Sequence, residues 1–115
     1  MTIERIKVGP RMSQAVIHGA TVYLAGQVAD DPAADVAGQT RQVLAKIDRL
    51  LAEAATDKSK LLSANVWLSD ISTFDLMNAV WDEWVTPGKP PARACVESRL
   101  ARPEFKVEIM VVAAR

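Results

Sequence analysis

Lys106-Val-Glu-Ile-Met-Val-Val-Ala-Ala114 is a strand-length run, apolar at both alternations, with a single acid, Glu108, in its middle. Successive side chains of a strand point to opposite faces, so this run brings apolar surface to both sides of the sheet it joins. The chain ahead of it supplies cover for only one side. From about Asp35 to Ala55, apolar residues fall at Val36, Val43, Leu44, Ile47, Leu50, Leu51 and Ala54, the spacing that paints one helix face. Gln39, Arg41, Gln42, Lys46, Asp48 and Arg49 are expected on the other face. A second helix is expected from Ser72 to about Val85, with Ser72 and Asp75 at capping-box spacing and Ile71 set to staple Leu76. Two helices cover one face of a sheet, and the uncovered face calls for symmetric self-association.

The remaining segments read as strands. Ile3–Val8, Ala15–His18 and Thr21–Val28, separated by Gly9-Pro10 and Gly19-Ala20, form an antiparallel set. Leu62–Leu68 is expected to place Leu62, Ala64, Val66 and Leu68 on one side and Ser63, Asn65 and Trp67 on the other. Thr86-Pro-Gly-Lys-Pro-Pro91 stops the second helix, and Ala92–Glu97 leads toward the final strand. The strand–helix–strand–helix–strand order of the second half implies crossover units with parallel pairing. The fold class is therefore α+β, a single domain over residues 1–115, with a six-stranded mixed sheet covered on one face by two helices.

Composition narrows the function. The chain has 115 residues, half of them hydrophobic, and fourteen basic against fourteen acidic residues give net charge zero. No basic stripe marks a nucleic-acid binder. No apolar run approaches the ~20 residues that span a bilayer, and no signal peptide opens the sequence, so a cytoplasmic location is expected. One cysteine, Cys95, excludes an intrachain disulfide, and with one histidine, His18, it makes no recognisable zinc site. Without a phosphate-binding glycine loop, the chemistry falls to ordinary side chains, with neither metal nor cofactor expected.

Two residues stand out. Glu108 lies among apolar neighbours, where an ionised carboxylate needs a partner or a purpose. Arg93 belongs to Pro91-Ala-Arg-Ala-Cys-Val96, where a period of two sets Arg93, Cys95 and Glu97 on one face. If the last two strands pair, Arg93 and Glu108 meet, either as a structural ion pair or as a site. In the second case the Arg fork takes a carboxylate bidentately and the Glu orients or deprotonates water. Cys95 reads as a packing residue rather than a nucleophile, Asn78 as a solvated helix position, and Phe74, Met77, Val80, Trp81 and Trp84 as core or interface.

Pro91-Ala-Arg-Ala-Cys-Val-Glu-Ser-Arg-Leu-Ala101 followed by Val107-Glu-Ile109 resembles the signature of the RidA (YjgF) family of imine deaminases. Met12-Ser-Gln-Ala-Val16, Ala25-Gly-Gln27, Gln39-Thr-Arg-Gln-Val43, Val66-Trp-Leu-Ser-Asp70 and Met77-Asn-Ala-Val80 extend the likeness over essentially the whole chain, toward the YoaB-like branch. The resemblance implies a chorismate mutase-like fold in a homotrimer whose sheets line a barrel, with small carboxylate-bearing metabolites bound at the subunit interfaces. It implies hydrolysis of 2-imino acids or enamines such as 2-aminoacrylate, 2-iminopropanoate and 2-iminobutanoate to 2-keto acids and ammonia, without a cofactor. By position, Arg93 clamps the carboxylate, Glu108 orients water, Cys95 gives backbone contacts, Asn78 lines the cleft, and Gly26 and Gln27 form its wall. Met12 and Ala25 replace a tyrosine and a serine usual in the deaminases. A non-catalytic carboxylate-binding protein of the same fold is the alternative, and the ribonuclease or translation-inhibitor activity of some members ranks last.

Overall fold

The computed structural model describes residues 1–115 as one sheet with two helices packed on one side. In chain order the elements are β1 (Ile3–Val8), β2 (Ser13–His18), β3 (Thr21–Leu24), α1 (Val36–Glu53), β4 (Leu61–Leu68), α2 (Phe74–Trp84), β5 (Ala92–Glu97) and β6 (Val107–Ala114). The six strands lie in the order β1-β2-β3-β6-β4-β5. Only β4 and β5 run parallel as hydrogen-bonded neighbours, because β6 inserts antiparallel between β3 and β4. The expected parallel pairing thus occurs once, and the last two strands in sequence do not pair at all.

Local chemistry explains the elements. Gly19, at φ 61°, turns the chain between β2 and β3 and closes the His18–Thr21 pair. The Asp35 carboxylate accepts from the Gly38 N–H at 2.8 Å, capping α1. That helix ends where Ala55 turns left-handed at φ 61° and the Thr56 N–H returns to the Leu51 carbonyl at 2.9 Å. The expected capping box of α2 does not form. Asp70 instead caps a short 3₁₀ turn over Ile71–Thr73 by accepting from the Ser72 N–H at 2.9 Å, and Ile71 and Leu76 both stay exposed. Asp70 lies one residue ahead of the turn, so its carboxylate reaches the free N–H first.

One core cluster of 22 residues joins the inner face of α1 and α2 to the sheet. All seven apolar positions named from the sequence are in it, six on α1 and Ala54 at its C-cap. Two assignments change. Gln39, expected on the solvent face, is fully buried. Its amide nitrogen donates to the carbonyls of Pro32, Ala34 and Glu104, and its oxygen accepts from the Lys106 N–H. A buried amide with every group satisfied ties the loop before α1 to the loop before β6. In β4 a bulge between Leu61 and Ser63 puts Leu61 in the core and turns Leu62 to solvent.

Register then fixes which residues share a face. Val107, Ile109, Val111 and Ala113 of β6 are buried beneath the helices, so Glu108, Met110, Val112 and Ala114 face the uncovered side.

Candidate functional site

The register across the three strands at one end of the sheet separates the two leading residues. Arg93 lies beside Ala64, which lies beside Val111, so Arg93 is on the helix face. Glu108 lies beside Trp67, which lies beside Val96, on the uncovered face. Within one chain Arg93 and Glu108 therefore do not meet, and the expected contact is corrected by the strand order: β4 stands between β5 and β6. An intrachain ion pair between them is excluded for the same reason.

Arg93 instead projects beneath α2. Its Nη1 donates to the Asn78 side-chain oxygen at 2.8 Å, and its guanidinium carbon stands 5.0 Å from the Trp81 ring centre and 5.9 Å from that of Phe74. Phe74, Asn78 and Trp81 follow one another at four and three residues, which places them on one side of the helix. Trp81 is further braced by Trp84, with ring centres 5.3 Å apart. The cation is thus oriented by a neutral amide and aromatic faces. The chain's two salt bridges, Lys7–Glu53 and Lys46–Asp30, do not involve Arg93, which is half-buried with no carboxylate of its own. Asn78, read as a solvated position, is half-buried and engaged. Phe74 and Trp81, which helical spacing assigns to core or interface, supply the aromatic faces. The spacing that links them to Asn78 was visible, but nothing in it points to an arginine on another element.

Cys95 is on the same face as Arg93, packed partly against the core. Burial pushes its thiol up from the ordinary value, and the Arg93 charge offsets this only in part. A thiol held in its neutral form is a poor nucleophile, in keeping with a packing role.

On the other face, Glu108 reaches across the Gln27–Ile109 bridge, where the two backbones exchange hydrogen bonds of 2.9 and 3.1 Å. A Cβ placed on Gly26 would collide with Glu108 Oε2 and lie 3.0 Å from its Cδ. Glycine at position 26 is therefore what leaves room for the carboxylate. Burial raises the Glu108 pKa above its ordinary value. The acid opens into a cavity of about 180 Å³ that it lines with Trp67, Ser98, Arg99, Leu100 and Ala101.

Gln27 is buried and its amide faces inward. It donates to the Gln14 side-chain oxygen and to the Ala25 carbonyl, each at 2.9 Å. It thus fixes the backbone that carries Gly26, holding the site from behind. Ala25 presents no polar side-chain atom, and its N–H donates to the Gln14 carbonyl at 2.9 Å. Met12 is exposed at the entry to β2, lining a different cavity with Lys7, Gly9, Pro10, Arg11 and Gln14. The structure brings Arg93, Asn78 and Cys95 to one face and Glu108 and Gly26 to the other.

Comparison with known proteins places this arrangement among relatives. The profile of the family described as Endoribonuclease L-PSP matches residues 2–115. A RutC family protein of Haemophilus ducreyi is 47% identical over 112 residues, covering 97% of this chain and 96% of that protein. The RutC family protein YoaB of Escherichia coli is 43% identical over 114 residues, with 99% of each chain covered. The crystal structure of a YjgF-family member from Neisseria meningitidis superposes with a TM-score of 0.97 at 46% identity, covering 100% of this chain and 96% of that one.

Proposed function

The chain belongs to the Endoribonuclease L-PSP family, whose members here carry the names RutC and YjgF, and on that premise we propose that it hydrolyses small 2-imino acids or their enamine tautomers to 2-keto acids and ammonia. The observation that carries the reading is Arg93. A half-buried guanidinium that has an amide and two aromatic faces but no acid is a cation awaiting an anion. Its planar fork matches a carboxylate in bidentate geometry, and Asn78 and Trp81 set that fork in advance. A substrate with a carboxylate next to its reacting carbon would be held at a defined distance from whatever attacks it.

Glu108 is the group suited to direct the attack. Desolvation raises its pKa, which makes the ionised form a stronger base than an exposed carboxylate. In the proposed step the carboxylate takes a proton from water as the oxygen bonds to the imine carbon. It then returns that proton to nitrogen, giving a carbinolamine, and a second transfer through the carboxylate carries the hydroxyl proton to the amino nitrogen as the C–N bond breaks, so that ammonia leaves and the carbonyl forms. Because Arg93 and Glu108 occupy opposite faces of one sheet, a complete site is composed of two subunits, with the β5 edge of one against the uncovered face of the next. Tyr23, Val96 and Met12, all exposed in the single chain, are apolar surface for such an assembly. A homotrimer in the cytoplasm, with the site at each seam, is the assembly this reading adopts.

The family's own description refers to ribonuclease activity, yet fourteen basic residues are balanced by fourteen acidic ones, which leaves no net positive charge to attract a phosphate backbone. A second reading, a carboxylate-binding protein without turnover, draws on Ala25, which offers no side-chain donor beside the Glu108 site. The deciding experiment generates 2-iminobutanoate and 2-iminopropanoate in situ with a dehydratase and compares wild type with Arg93→Ala. A clear wild-type rate that the variant loses supports the hydrolase. No wild-type rate above buffer on either imine removes that function for these substrates, and saturable binding of the 2-keto acid without turnover then selects the binding protein.

A further inference from the structure

We propose that the cavity between α1 and the β1–β2 hairpin is a second anion site, built for a small oxyanion of the inorganic phosphate class. The cavity, about 180 Å³, is lined by Lys7, Gln14, Gln27, Lys46, Arg49 and Leu50, so three of its six lining residues are cationic and two are amides. This size is below that of drug-sized ligand pockets, roughly 300 Å³ and more, and suits a bare oxyanion rather than a nucleotide.

The hydrogen-bond inventory leaves donors at the cavity. Gln27 must donate to the Ala25 carbonyl, which can only accept, and this orients its neighbour Gln14 to present oxygen to Gln27 Nε2 at 2.9 Å. The Gln14 NH₂ is then left without an acceptor from this chain. Lys46 Nζ donates to the Val28 carbonyl and to Asp30 Oδ1, both at 3.0 Å, and keeps one N–H. Arg49 is exposed and makes no hydrogen bond or ion pair. Lys7 holds a left-handed backbone at φ 52°, a strained conformation for a residue other than glycine, and faces the same cavity.

Two carboxylates oppose the site. Glu53 pairs with Lys7 at 3.3 Å and Asp30 with Lys46 at 3.0 Å, with side chains 42% and 77% exposed. Ion pairs this open to water are weak, and a dianion meeting three cations competes with them. The site does not rest on the imine-hydrolase reading, since none of its residues belongs to the Arg93 or Glu108 clusters apart from Gln27, which backs Gly26.

The test titrates inorganic phosphate into ¹⁵N-labelled protein in low-chloride buffer and follows the side-chain amide signals of Gln14 and Gln27. Wild type and Arg93→Ala should show the same saturable shifts, while Arg49→Gln and Lys7→Gln, both surface changes, should weaken the apparent affinity roughly tenfold and fivefold. An absence of saturable shifts at these two amides in wild type overturns the proposal. So does an affinity unchanged in Arg49→Gln, or shifts that vanish in Arg93→Ala, which would move the anion to the substrate clamp.

Discussion

Gly26→Ala should leave the fold nearly as stable as wild type and remove activity, because the added methyl occupies the space of one carboxylate oxygen. The new Cβ would overlap Glu108 Oε2 and stand 3.0 Å from Cδ and 3.3 Å from Cγ, so its three nearest neighbours all belong to that one side chain. Gly26 is not among the residues of positive φ, so alanine fits its backbone. Replacing glycine where the backbone permits stabilises by about 0.4–1 kcal/mol through the unfolded chain. Turning Glu108 to a poorer rotamer costs about 0.5–1.5 kcal/mol, and the two nearly cancel. The net change in unfolding free energy should stay within about 1 kcal/mol in urea titration. Imine hydrolysis should fall by roughly 10²–10⁴, the usual worth of a general acid–base group. If the loss acts through Glu108, Gly26→Ala combined with Glu108→Gln should be no slower than Glu108→Gln alone. Wild-type kcat/KM in Gly26→Ala, or a further additive loss in the double variant, would refute the reasoning.

The same geometry sets three further outcomes. Phe74→Leu removes one aromatic face from Arg93 at a partly exposed position; losing about 0.5–1 kcal/mol of cation–π attraction should raise KM roughly two- to fivefold with kcat little changed, as steady-state kinetics would show. Ile47→Ala, at a fully buried α1 position, should cost about 2–5 kcal/mol of stability by urea denaturation. For Glu108, burial raises the folded pKa above 4.5, so ionisation is harder in the folded state and wild type loses stability as pH rises from there through the elevated value. Glu108→Gln has no such loss. Thermal melts should therefore show the Gln variant gaining on wild type across that window and a constant difference below it.

The helices and most strands were legible because their patterns are strongly periodic. Every apolar α1 position read from the sequence is buried, and β5 begins and ends where its flanking residues implied. What escaped the sequence depends on contacts between distant segments. Gln39 looks like a solvent-face residue until the loops at Pro32 and Glu104 arrive to use its amide. Leu62 matches its alternation, but a bulge shifts the register by one and turns it outward. The Arg93 environment escaped for a third reason. In Ala92–Glu97 the alternation separates Arg93 and Cys95 from Ala94 and Val96 without saying which side is covered; Ala94 and Val96 are exposed, and the arginine lies under α2 on the aromatic shelf of Phe74 and Trp81. Charge reads as surface in a sequence. A helix that brings an amide and two rings to meet it leaves it half-buried instead.

The separation of Arg93 and Glu108 yields a prediction that single variants cannot test. If each site takes its arginine from one subunit and its glutamate from the next, a subunit of Arg93→Ala still supplies a sound Glu108, and a subunit of Glu108→Gln still supplies a sound Arg93. Neither variant alone builds a complete site. Random mixing of the two in equal amounts makes about a quarter of the seams join an intact arginine to an intact glutamate, because each half is sound with even odds and the two come from different chains. Mixed assemblies, prepared by co-expression or by refolding together, should thus recover about a quarter of wild-type imine hydrolysis while the parents stay inactive. Recovery should need exchange of subunits, so folded parents mixed briefly should gain activity only as fast as they exchange. Mixed assemblies shown by mass spectrometry to contain both variants, yet as inactive as the parents, would mean that the site is not divided between chains. The face assignment in the sheet would then have to be reconciled with a rearrangement of β5, since no side chain reaches through β4 to join the two residues.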